Sequence, residues 1–291
     1  MASMHDGRVV DLGAARAQRR LSSLTEMSTS ELSPFALHRL VESEIIPRLL
    51  LAHRGDAAAP TCIAAGTSER FAVAALTTEA YGLLVEVEAL CAVGVAVETL
   101  FLELLAPAAR HLGILWDEDA CDFVDVTMAL WRLQEIVHEL AARVPGAAAR
   151  FGGERRALFA GVPGEQHGFG TIMVEEFFRR AGWTTACEPV STETVLLDAV
   201  ATQWFELIGL TVMCDDNVAG LPQLIAGLRA RSKNPRVGVM VGGRSFADHP
   251  EWAATCGADA TARDGAEAVR VAETLLDVLA LRADTPVAGR G

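Results

Sequence analysis

Long apolar runs are missing from this sequence. The longest nearly unbroken one, Leu90 to Val97, falls far short of the roughly 20 residues that span a bilayer. An apolar leader is missing too: Met1 to Arg20 is polar and carries four arginines where the core of a signal peptide would sit. These gaps argue against a membrane or secreted protein and set the expectation of a cytoplasmic one. Basic charge is scarce, with 25 Lys and Arg against 38 Asp and Glu, a formal net charge of −13. Such a surface repels phosphate backbones, so nonspecific nucleic-acid binding is not expected. Arg8, Arg16, Arg19 and Arg20 form the one local hint of a basic patch. Paired cysteines are absent as well. Cys62, Cys91, Cys121, Cys187, Cys214 and Cys256 are scattered without a C-x-x-C spacing. That argues against a zinc site or a disulfide framework and for buried small hydrophobes in a reducing compartment.

What is present is a folded chain. Hydrophobic residues make up 51% and charged ones 22% of 291 residues, enough for two domains with separate cores. Residues 1–30 have no sustained apolar period and read as a tail. Ser33-Pro34 is an N-cap followed by proline at the first helical position, and Leu37, Leu40, Val41, Ile45 and Leu49 follow at helical spacing. Further helices are expected from Thr67 through Leu84, from about Gly94 to Leu112, and after Trp116 to about Arg143. The pattern predicts an N-terminal four-helix bundle over 31–145.

Beyond Pro145 the pattern changes. Short apolar runs beginning at Arg156, Thr184, Trp204, Arg236 and Ala258 alternate with helical stretches beginning at Gly168, Thr192, Ala219, Phe246 and Gly265. Five such alternations predict a doubly wound, flavodoxin-like (Rossmann-type) domain over 146–283, with a five-stranded parallel sheet in the order 2-1-3-4-5 and a tail at 284–291. Ligands of such sheets sit beyond the carboxyl ends of the strands. The loops there carry Glu165-Gln166-His167-Gly168-Phe169-Gly170, then Thr211-Val212-Met213, then Gly242-Gly243. A ligating imidazole commonly gives its other N–H to a carboxylate, and Glu165 stands two residues before His167. A phospho-receiver of the same fold needs paired acids after the first strand and an aspartate after the third; the chain has Gly161-Val162-Pro163 and Thr211-Val212-Met213 there.

These residues resemble the D-x-H-x-x-G … S-x-L … G-G signature of vitamin B12-binding domains. The resemblance implies a cobalamin cofactor, with His167 as lower axial ligand of cobalt, Glu165 as its hydrogen-bonding partner, and Gly168 and Gly170 in the same loop. Thr211 would meet the displaced nucleotide base beside Met213, and Gly242 and Gly243 would line a slot for the nucleotide tail. Glutamate replaces aspartate at 165, and Thr-Val-Met replaces Ser-x-Leu. A bulky side chain at Gly243 is expected to fill the slot and leave the fold intact.

The helical half resembles, around Pro107 to Trp116, the bundle that covers the upper corrin face in such proteins. Trp116 is thereby implied to pack over the corrin, or else in the bundle core. Val126 and Thr127 stand where the light-dependent repressor branch has Glu-His, which argues against adenosylcobalamin-driven tetramer formation. His111 and His138 read as helix-surface residues. The segment Leu115 to Thr127, with Pro47-Arg48-Leu49-Leu50, is similar to the AerR/PpaA-type photosynthesis antirepressors of purple bacteria. That resemblance implies a non-enzymatic light- or redox-responsive sensor whose partner is a transcriptional repressor protein. No helix-turn-helix is recognisable, which fits a partner of a repressor better than a DNA binder. Two other expectations stand beside it: a corrinoid carrier subunit of a methyltransferase system, and a haem-binding sensor of the same fold. The upper ligand and the oligomeric state stay open.

Overall fold

The computed structural model describes residues 62–143 and 155–284. The expected helix from Ser33, both tails and the boundary near 145 lie outside the described residues. Among the described residues, four helical stretches precede the sheet: α1 (Thr67–Thr77), α2 (Ala80–Ala92), a continuous stretch made of α3 (Val97–Thr99), a π-helical turn (Leu100–Leu105) and α4 (Ala106–Asp117), and α5 (Phe123–Arg143). The π turn has a local cause. Pro107 offers no N–H and its ring crowds the preceding turn, and the N–H of Ala106 reaches back five residues to Phe101 O. A reciprocal capping pair starts α5: Asp125 N–H donates to Asp122 Oδ1 at 2.8 Å and Asp122 N–H to Asp125 Oδ2 at 3.2 Å.

Periodicity alone reads Thr67 to Leu84 as one helix, but the chain breaks at Thr78 and Glu79, both extended. The reason lies 57 residues away. Buried Arg132 on α5 donates through Nη1 to Ala75 O at 2.8 Å and Leu76 O at 3.0 Å, capping the end of α1, and through Nη2 to Glu79 Oε1 at 3.1 Å. A tertiary cation therefore satisfies carbonyls that a continuous helix would have used itself.

The second half is built from β1 (Arg156–Gly161), α6 (Phe169–Arg180), β2 (Thr184–Glu188), α7 (Glu193–Thr202), β3 (Leu207–Thr211), α8 (Leu221–Arg231), β4 (Gly238–Gly242), α9 (Arg244–Asp248), α10 (Trp252–Thr255), β5 (Ala260–Thr261) and α11 (Gly265–Asp284). All pairings are parallel and the strand order is β2-β1-β3-β4-β5, as expected. Three elements are shorter than their apolar runs. Trp204, Phe205 and Glu206 precede β3, and β5 keeps two residues. The helix expected from Phe246 to Cys256 is split by Pro250, which cannot continue one.

α6 joins the two halves. Phe169, Met173 and Phe177, spaced by four, are buried in one core with the helices, where Phe177 meets Phe101 edge-on with ring centroids 5.7 Å apart. Burying each such side chain stabilises the packing by about 1.5–3 kcal/mol. On its other side, Phe178 packs between Phe159 of β1 and Trp183. Polar contacts complete the joint: Arg180 Nε donates to Glu98 Oε1 at 2.8 Å and Arg179 Nη2 to Ala141 O at 3.0 Å. No helix among the described residues is long and apolar enough to cross a membrane.

Candidate functional site

The last residues of β1, β3 and β4 fall in register: Gly161 opposite Thr211, and Thr211 opposite Gly242. In-register neighbours of a parallel sheet point to the same face, so the Thr211 side chain stands between two residues that have none. The two glycines of the slot differ from each other. A Cβ at Gly242 would find only Ala262 O, at 3.9 Å, whereas one at Gly243 would lie 2.3 Å from Val212 O. Gly243 also adopts φ 97°, ψ −178°, a conformation closed to L side chains. The expectation that a bulky residue at Gly243 spares the fold is therefore corrected, because such a substitution collides with backbone before it reaches any slot.

Beyond β1 the chain turns tightly at Gly164, φ +91°, and Glu165 N–H closes the turn on Val162 O at 2.9 Å. The Glu165 carboxylate is 1% exposed and accepts six hydrogen bonds. Oε1 takes the N–H groups of Gln166 and His167 and lies 2.5 Å from His167 Nδ1. Oε2 takes Met213 N–H at 2.8 Å, Cys214 N–H at 3.2 Å and Asn217 Nδ2 at 3.3 Å. Burial pushes this carboxyl up, but the bonds from Met213 and His167 outweigh it and hold it below the usual carboxylate value. An ionised carboxylate can only accept, so the proton of that pair sits on His167 Nδ1. The lone pair of the neutral ring is then on Nε2, and half of the side chain is exposed. The Glu165 carboxylate thereby ties the loop after β1 to the loop after β3.

The other expected residues divide. Thr211 is buried at the edge, with its Cγ2 3.7 Å from where a Gly170 Cβ would be, and Met213 is half-buried. Gly168 serves packing, since a Cβ there would approach Pro189 Cβ to 2.8 Å. Trp116, in the last turn of α4, is 47% exposed. Two residues escaped the sequence analysis. Asn217 completes the Glu165 cradle, and Cys214 Sγ lies 4.0 Å from His167 Nδ1. Glu165, His167 and Cys214 thus present ligand-type atoms within 4.8 Å of one another. Burial, then the charges of Glu165 and Asp216, push the Cys214 thiol up. The expectation of buried cysteines holds only for Cys256; Cys62 and Cys214 are exposed and the other three half-buried.

A corrinoid fits this edge on its donor chemistry: a preset imidazole with an available nitrogen, and a hydroxyl flanked by glycines. The B12-binding domain family model matches residues 155–273. An uncharacterized 20.5 kDa protein of the bchF-crtJ intergenic region of Rhodobacter capsulatus is 31% identical over 170 residues, covering 58% of this chain and 88% of that protein. Residues 155–273 form a domain of the B12-binding family, and the chain belongs to one family with the Rhodobacter protein. The monomethylamine corrinoid protein of Methanosarcina barkeri shares the fold of this B12-binding-domain protein, with a TM-score of 0.57 at 19% identity over 73% of this chain and 98% of that one.

Proposed function

We propose that this B12-binding-domain protein is a cobalamin-dependent regulatory sensor that acts by contact with a transcriptional repressor protein and performs no catalysis of its own. The observation that carries the reading is the Glu165–His167 pair, 2.5 Å apart at the carboxyl edge of the sheet. His167 would hold cobalt through Nε2, Glu165 keeps the ring in the tautomer that frees that nitrogen, and Asn217 with the Met213 and Cys214 N–H groups keeps Glu165 charged. Thr211 and Gly242 would admit the nucleotide tail. Bound there, a corrinoid supplies an exchangeable or photolabile upper bond on cobalt and a visible spectrum that reports it. The sensor role is supported by the similarity of Leu115 to Thr127 to antirepressors and by the acidic net charge, which suits a protein partner better than DNA. A partner follows such a switch only by binding its two states with different affinity.

The test is reconstitution with hydroxocobalamin followed by desalting in the dark. Wild type is expected to stay pink, and His167→Ala to lose more than about 100-fold in affinity, since even residues behind a ligand are worth 10–100-fold. Illumination without any methyl donor is expected to change the spectrum. Methyl transfer from a donor enzyme without a light response identifies a carrier instead, and a protein that retains haem but no cobalamin overturns the ligand.

A further inference from the structure

Among the described residues, five buried side-chain nitrogen or oxygen atoms lack a hydrogen-bond partner, and three of them are hydroxyls: those of Thr171, Ser245 and Thr261. All three stand at the carboxyl edge of the sheet, in the first turns of α6 and α9 and at the end of β5. Ser245 is fully buried and follows Gly242 and Gly243 by two residues. Its N–H points at Val212 O, 3.4 Å away, which sets it beside the residue that follows Thr211. A serine in the first turn of a helix ordinarily spends its hydroxyl on nearby backbone. This one does not, although a buried hydroxyl without a partner costs the folded state free energy that alanine would not. A group kept at that cost, two residues beyond the Gly242-Gly243 pair and beside the end of β3, has a ligand as its natural partner.

We propose that Ser245 Oγ is a specificity contact, hydrogen-bonding the polar nucleotide tail of a complete corrinoid and so distinguishing it from tail-less corrinoids. The assignment rests on the corrinoid reading given above. It makes Ser245 a ligand-touching residue that sequence motifs do not mark, and it predicts opposite effects on the free and the loaded protein.

The experiment measures affinity for hydroxocobalamin and for diaquacobinamide, which carries the same corrin without the tail, in wild type, Ser245→Ala and Ser245→Cys. Expected are a clear wild-type preference for hydroxocobalamin and a loss of about tenfold for that ligand in both variants, the value of one hydrogen bond. Cobinamide affinity is expected to stay unchanged, and the ligand-free variants to melt at or above the wild-type temperature. Equal losses for both corrinoids, no loss for either, or a lowered melting temperature of the free variants would overturn the assignment and make the hydroxyl structural. A wild type that binds hydroxocobalamin without preferring it to cobinamide sinks this contact alone. One that binds neither sinks the corrinoid reading together with it.

Discussion

At the carboxyl edge of the sheet, one buried carboxylate accepts six hydrogen bonds and fixes an imidazole. At the start of α5, Phe123, Val124, Met128 and Trp131 instead face outward, between 40% and 68% exposed. The first region is polar and already committed to one geometry. The second is apolar and gains free energy from whatever covers it. Preformed polar holders give affinity without rearrangement, while exposed apolar faces respond to what is nearby. A protein that must hold a ligand in every state and yet look different in two of them needs both kinds of surface.

The comparison can be broken most severely where the regions join. Phe177→Ala empties the place where α6 enters the helical core, and is expected to cost about 3–5 kcal/mol in denaturant unfolding. A smaller loss means that the halves are stable independently. Glu165→Gln keeps the shape of the holder and removes its charge. It is expected to weaken hydroxocobalamin binding by about 10–100-fold without unfolding the chain, as read by titration of the visible spectrum. The same variant sharpens the acid behaviour. Because the Glu165 carboxyl lies below its usual value in the folded chain, its contribution is complete above that usual value and is lost as pH falls through the lowered one. Wild-type melting temperatures should therefore fall more steeply than those of Glu165→Gln between pH ~6 and ~3. The smallest effect is expected on the apolar side. Val124→Ser should change stability by less than about 0.5 kcal/mol, because that side chain is 64% exposed, while lowering the fluorescence of a bound hydrophobic dye. A large stability loss would show that this face is already covered.

The sheet half was legible because its signals are local. Five apolar runs separated by helical patterns give the strand order once right-handed crossovers are assumed, and Glu165 and His167 are two residues apart. What was not legible depends on distant partners. Arg132 breaks a helix 53 to 57 residues earlier in the chain, and the apolar period of Thr67 to Leu84 carries no trace of it. Met213 and Asn217 reach Glu165 across 48 and 52 residues, so the motif names the histidine and its carboxylate but not what keeps that carboxylate charged. Gly242 and Gly243 look equivalent in sequence; the close approach of Val212 O to one of them separates a glycine required by backbone from one that leaves space.

α6 begins two residues after His167 and runs twelve residues, about 18 Å, with its apolar stripe sunk among the helices. Only Gly168 lies between the grip and that helix. Under the sensor reading proposed above, a pull on the imidazole would act on the near end of a stiff rod whose far side is packed among the helices, a lever between what is held and the face that is shown.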